Sequence, residues 1–267
     1  MDTNLIEIPE NLKIINEDTT FTILNENFKD KKVTVFPVIH CVNPKMDFDN
    51  CLKVTFRNVK MCKDEGADGV FLINHSFEPV FLVDIYNAVI KEFPNYWIGC
   101  KFLGVDDPLD FCTKNNIINI KGIWNDQGYI LDQNDKLYPS WIEKAIKIAE
   151  KIKTFSGLYF GGIAVKSQRE IKDYEVIANK AKYLISVPTT SGPGTGEAPD
   201  TIKLKKLRDG MGEKGILALA SGITCENVDK FLPYVNCILV ATSICKDFYN
   251  FDLAKLRNLI KIDTLKL

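Results

Sequence analysis

From Val33 to its last helix the chain repeats one phrase eight times, a short continuous apolar run followed by a stretch with helical spacing. The runs are VTVFPVIH (33–40), GVFLIN (69–74), YWIGCKFL (96–103), IINIKGIW (117–124), GLYFGGIAVK (157–166), YLISVPTT (183–190), ILALAS (216–221) and CILVATS (237–243). A strand followed by a covering helix returns to its sheet in the same direction, so this phrase demands parallel strands. Unbroken apolarity, as opposed to alternation, marks strands buried on both faces. Between the runs, Leu52, Thr55, Phe56, Val59 and Cys62 keep helical spacing until Gly66, and a second helix covers Val80 to Phe93. A short helix begins at Asp106-Asp107-Pro108, and Trp141, Ala145, Ile148 and Ile152 mark one face of a longer one. Ile171, Tyr174, Ile177, Ala178 and Ala181 form another face, Asp200 and Thr224 stand where N-caps belong, and a last helix starts near Asp252. Eight such units fit a closed (β/α)8 TIM barrel. A doubly wound sheet is the alternative, but its usual GxGxxG does not follow the first run.

The hydrophobic fraction of 46% in 267 residues suits one core, so residues 33–267 are expected to form a single barrel domain, preceded by a polar, Asn-rich extension over 1–32. In that extension the apolar bits LKII and FTIL could pair as a hairpin or lie across the closed end of the barrel. With 34 basic and 35 acidic residues there is no broad field to attract nucleic acid or an anionic membrane. The first residues lack a basic-then-apolar leader, and no run approaches the roughly 18 apolar residues of a membrane span, so a cytoplasmic protein without membrane insertion is expected. Eight cysteines without a CxxC pair, and two histidines, offer no zinc spacing. No metal or other cofactor is expected, and the thiols read as buried and reduced.

Barrels of this kind work at the C-terminal ends of their strands, which shortens the list of candidates. His40, Asn74, His75, Lys101, Asp126 and Lys166 stand at the ends of the first five runs. After the sixth, SGPGTG places Ser191, Gly192, Gly194, Thr195 and Gly196 just before a helix, where glycines let backbone N–H groups converge on an anion. Ser221 and Gly222 follow the seventh run, and Thr242 and Ser243 follow the eighth. Many barrels hold a phosphate after these last two strands with help from a short extra helix, a part that Cys245 to Tyr249 could play, with Lys246 adding charge. Asp126 is placed to be a general acid or base. Lys166 or His40 would be its electrostatic partner, although a lysine at a strand end can also snorkel and a histidine can be a structural hydrogen bonder.

The segment SGPGTGEAPDTIKLKKLRD, continued by ILALASGITCENVDKFLPYVNCILVATSICKD, resembles the C-terminal half of the BtpA family of barrel proteins. That family carries a TGSGTG-like loop, a proline-aspartate helix start, a GSGVT-E-N turn and a VGTSLK ending. Earlier echoes in the same order are PVIH (37–40), GADGVFLIN, NDQG (125–128) and AVK (164–166). The chain departs from the family's pattern at Ile73-Asn74, Lys166-Ser167, Ala220 and Ala241. The resemblance implies a (β/α)8 barrel of the phosphate-binding type and a phosphorylated small-molecule ligand.

The expected activity is that of an enzyme on a phosphorylated sugar or a phosphoribosyl or nucleotide-like compound. The alternative is a barrel that binds such a ligand, or a protein, without turnover, as an assembly or biogenesis factor. Schiff-base chemistry at Lys166 is a third reading. Barrels often pair through helix faces or mouth loops, so a homo-oligomer remains open.

Overall fold

The structure is a computed structural model that describes residues 7–12, 33–75, 78–132 and 135–264. Eight parallel strands close on themselves in sequence order: β1 (Thr34–His40), β2 (Gly69–Ile73), β3 (Trp97–Lys101), β4 (Gly122–Asn125), β5 (Leu158–Gly162), β6 (Val187–Ser191), β7 (Ala218–Ala220) and β8 (Cys237–Val240). Closure is made by β1 on β8, in register from Thr34↔Cys237 to Pro37↔Val240. Helices α1 (Phe48–Asp64), α2 (Pro79–Glu92), α3 (Pro108–Lys114), α4 (Tyr138–Ile152), α5 (Tyr174–Leu184), α6 (Thr201–Met211) and α7 (Leu253–Thr264) surround the barrel. Of the extension, residues 10–12 make one helical turn and Leu12 is buried in the outer core; the rest of LKII and all of FTIL lie outside the described residues.

Aspartates define several helix starts. The side chains of Asp47, Asp107, Asp173 and Asp200 accept backbone N–H bonds from Asn50, Asp110, Val176 and Ile202 at 2.8–3.1 Å, each satisfying a donor that a helix's first turn leaves without a partner. Thr224 differs from expectation. Its Oγ1 accepts from the Glu226 N–H at 3.2 Å, yet only the 3-10 turn Val228–Lys230 follows before β8. Among the described residues no helix is long and apolar enough to cross a membrane.

Several strands are shorter than their apolar runs, because backbone of left-handed twist cuts them. Asn116 and Asn119, at φ 51° and 58°, keep Ile117 to Ile120 out of β4; Ala164 at φ 48° follows the end of β5, and Ser221 at φ 80° follows β7. Tyr183 and Leu184 belong to α5 and not to β6. The expected short helix over Cys245 to Tyr249 is absent. A 3-10 turn, Thr242–Ile244, leads instead into a two-stranded hairpin of β9 (Cys245–Asp247) and β10 (Asn250–Phe251).

Residues alternate between two cores, as strand geometry requires. Val35, Ile39, Val70, Leu72, Ile98, Cys100, Leu219 and Ile238 face the helices. Phe36, Phe71, Trp97, Leu158, Phe160, Val187, Ala218 and Leu239 fill the barrel. Four of these make one aromatic cluster: Phe36 lies 5.7 Å from Phe71, 4.5 Å from Trp97 and 5.7 Å from Phe160, and Phe71 lies 5.0 Å from Phe160. Gly122 makes room for it, since a Cβ there would lie 2.3 Å from the Trp97 ring. The inward positions of β6 and β7 are Val187, Thr189, Ser191, Ala218 and Ala220, all smaller, and the interior opens on that side. Replacing Phe71 by alanine would leave a cavity at the centre of this cluster; a loss of about 3–5 kcal/mol is expected, read from urea unfolding of the Phe71→Ala variant.

Candidate functional site

The period of two carries upward from the filled barrel. His40 continues the inward series of Phe36 and Val38, Lys101 that of Trp97, Asp126 that of Trp124, and Ser191 that of Val187 and Thr189. All four line a cavity of about 490 Å³ at the C-terminal mouth. His75, Lys166, Thr195 and Gly196 line it too, as do Ser221, Gly222, Thr242 and Ser243. Twelve of the fifteen residues expected at the mouth thus share one cavity.

Asn74, Gly192 and Gly194 are not among its lining residues. The Asn74 side chain is buried and clamps the neighbouring loop, donating to the Leu103 carbonyl at 3.3 Å and accepting from the Leu103 N–H at 2.8 Å. Gly192 is needed for packing: a Cβ there would lie 1.8 Å from the Glu197 carbonyl oxygen, and one at Gly222 would lie 2.2 Å from the Glu197 carbonyl carbon. The Glu197 backbone is therefore seated between the loops after β6 and β7. Ser221 links the same loops, donating to the Gly194 carbonyl and accepting from the Gly196 N–H, both at 3.1 Å. Ala220 and Ala241 both line the cavity. Lys246 is exposed on β9 and is not among the lining residues.

The strongest electrostatic feature is the pair of Lys101 and Asp126. Lys101 Nζ lies 2.6 Å from Asp126 Oδ1 and 3.7 Å from the centre of the Trp124 ring, a cation–π contact. The lysine side chain is 9% exposed and the aspartate 40%. Burial pulls the Lys101 ammonium below the ordinary lysine range; the charge and hydrogen bond of Asp126 oppose this, and the charge of Lys166 adds to it. Asp126 is held from behind by close backbone packing, since a Cβ on Gly162 would lie 2.0 Å from the Asp126 carbonyl oxygen. Gln168 joins the same loops, donating to the Gly162 carbonyl at 2.8 Å.

The apolar run 157–166 places Lys166 at the end of β5. In the structure it lies four residues beyond that strand, exposed at the rim, and its ammonium donates to Thr195 Oγ1. Its backbone N–H donates to Ser191 Oγ at 3.1 Å. A third lysine stands behind these loops. Lys203, on α6, donates to the Ala164 and Ser191 carbonyls at 2.6 and 2.7 Å and is pulled down to about 8 by burial. Spacing gave no sign of Lys203, which reaches the loops from a helix and not from a strand end. On the far side of the mouth the His40 ring is stacked on Phe248 with centroids 4.0 Å apart, and His75 lies 5.6 Å from His40. His40 is lowered to about 4, mainly by burial, with the charges of His75 and Lys101 adding and a hydrogen bond to the Phe248 backbone opposing. Among the described residues no group of three or more His, Cys, Asp or Glu is placed to hold a metal ion.

No protein-family model and no curated protein matches the chain. Solved structures do. Phosphoribosyl anthranilate isomerase from Thermus thermophilus is similar at 16% identity and a TM-score of 0.58, over 88% of this chain and all of that one. A native KDPGal structure is similar at 12% and 0.56, over 89% and 98% of the two chains. Thiamine phosphate pyrophosphorylase from Pyrococcus furiosus is similar at 12% and 0.54, over 88% and 97%. The likeness is one of fold.

Two outcomes follow from the electrostatics. Asp126→Asn strands the buried Lys101 charge and should cost about 1–3 kcal/mol, less than a fully buried pair because water reaches Asp126. Lys101→Met removes the charge with its burial and should cost less than about 1 kcal/mol. Denaturant unfolding of both variants checks the order, and the Asp126→Asn deficit should shrink as alkaline pH removes the Lys101 proton. For His40 the folded value lies below the ordinary 6.5, so the unfolded chain takes up a proton first as pH falls. Stability should drop between about pH 6.5 and 4, by on the order of 3 kcal/mol at most. His40→Gln should flatten that part of the stability–pH curve.

Proposed function

We propose that this barrel is an enzyme acting on a phosphorylated sugar or phosphoribosyl compound, with the phosphate held by the loops after β6, β7 and β8. The observation that carries the reading is the ion pair of buried Lys101 and half-exposed Asp126, which shares one cavity with those loops. Gly222, Thr242 and Ser243 line one side with polar backbone and the Thr242 hydroxyl, while the Gly196 N–H and the Ser221 hydroxyl brace the loops around them. Lys101 and Lys166 against Asp126 leave the lining one positive charge in excess, the balance an anion requires. Similar folds belong to proteins named for phosphorylated compounds, phosphoribosyl anthranilate and thiamine phosphate. The BtpA-like order of motifs points to the same ligand class.

In this reading the phosphate fixes the ligand and its binding energy aligns the reacting end against Asp126. Asp126 takes up and returns a proton, while the Lys101 ammonium stabilises negative charge developing on an adjacent oxygen. Lys166 stands at the phosphate side through Thr195 and is an anion contact, not the acid–base partner. Schiff-base chemistry needs a desolvated amine, and exposed Lys166 lacks that setting.

Turnover of a panel of phosphosugars and phosphoribosyl compounds tests the proposal. Lys101→Met and Asp126→Asn should each lower kcat by about 10²–10⁴, and Asp126→Asn should leave phosphate-dependent binding in place. Tight binding without product in the wild type, unchanged by Asp126→Asn, would instead favour the ligand-binding or assembly role.

A further inference from the structure

The phosphate loops and the Lys101–Asp126 pair leave one side of the mouth without a task, and that side is aromatic. Phe248 sits at the tip of the β9–β10 hairpin and lines the cavity. It is 45% exposed, the one aromatic residue among the exposed large hydrophobics of the described residues. Its position is firmly set. Asp247 Oδ1 accepts from the Tyr249 and Asn250 N–H groups at 2.9 and 3.0 Å, and Asn250 Nδ2 reaches both Asp247 oxygens at 2.8 Å. From α1, Asn58 donates to the Tyr249 carbonyl at 2.7 Å and Arg57 donates to Asn250 Oδ1.

The ring so held is part of a cluster. His40 stacks on Phe248 with planes 25° apart, His75 meets it edge-on at 5.2 Å, and Val38, Ile73 and Leu103 extend the apolar wall. Within this wall His40 Nδ1 is buried without a hydrogen-bond partner. Sugar hydroxyls gain little against such a surface, because they lose water without finding acceptors or donors. A flat ring gains from it, by stacking or edge contact with the aromatic faces. The cavity of about 490 Å³ falls in the size range of pockets that enclose drug-sized ligands, which accommodates a phosphate, a pentose and one planar group.

We propose that the β8–β1–β2 side of the mouth, formed by Phe248, His40 and His75, is a stacking subsite for a planar aromatic or heteroaromatic group carried by the phosphorylated ligand. This rests on the phosphate reading above and narrows it from sugar phosphates in general to aryl- or base-bearing pentose phosphates. Phe248 touches the ligand's ring and takes no part in proton transfer.

Calorimetric titration of the full chain with ribose 5-phosphate, adenosine 5′-monophosphate, phenyl riboside 5-phosphate and adenosine tests it, in the wild type and in Phe248→Ala and Phe248→Tyr. The ring-bearing phosphates should bind about tenfold or more tightly than ribose 5-phosphate. Phe248→Ala should erase that difference without weakening ribose 5-phosphate, and Phe248→Tyr should keep it. Equal affinity for all three phosphates in the wild type, or an equal loss for all three in Phe248→Ala, overturns the subsite and leaves the phosphate reading standing. Binding of adenosine that needs Phe248, with no gain from any phosphate, upholds the subsite and overturns the phosphate reading. If none of the four binds, both fall.

Discussion

Everything at the mouth depends on how the barrel is filled beneath it. Phe36, Phe71, Trp97 and Phe160, from β1, β2, β3 and β5, pack together, edge to face in every pair but the tilted Phe36–Trp97, and occupy the lumen on their side. Dense aromatic packing of this kind leaves no space for water or ligand. Opposite, threonine, serine and alanine on β6 and β7 are too small to meet across the axis at the upper level. The cavity is thus the remainder of an unequal packing, and its side of small residues and its closed floor have the same origin.

That inequality also sets the electrostatics. Trp124 is packed on the aromatic cluster at 6.0 Å from Phe71 and presents its ring to Lys101. An ammonium taken from water loses solvation that one carboxylate and one π face replace only in part, which is why the lysine stays below its ordinary range although a carboxylate touches it. The half-exposed Asp126 is the member of the pair a ligand can reach. A buried cation and an accessible carboxylate form an asymmetric pair, the cation fixed in the wall and the carboxylate facing the cavity.

The eight-unit architecture and the polarity of the site were legible because they depend on periodicity and on strand ends, both local properties. What escaped was set by parity and by left-handed backbone. Lys101 and Lys166 each closed an apolar run, yet Lys101 falls on the inward parity of Trp97 whereas Lys166 lies past the break at Ala164. Counting in twos from Trp97 would have ranked them correctly. The glycines at 192 and 222 also make room for the Glu197 backbone between them, a contact between residues of two loops that no short window displays. Lys203 and the Phe248 hairpin belong to the same class, since a helix and an extra hairpin bring them to strand ends far away in sequence.

Ser221 shows what such a mouth costs and how it could be lost. A residue with a Cβ at φ 80° is strained by roughly 1 kcal/mol or more, and glycine would relieve it. Glycine would also delete the hydroxyl that ties the loop after β6 to the end of β7. Glycine at this position would therefore give a sturdier barrel with a looser rim, so backbone ease and rim cohesion pull in opposite directions at one residue.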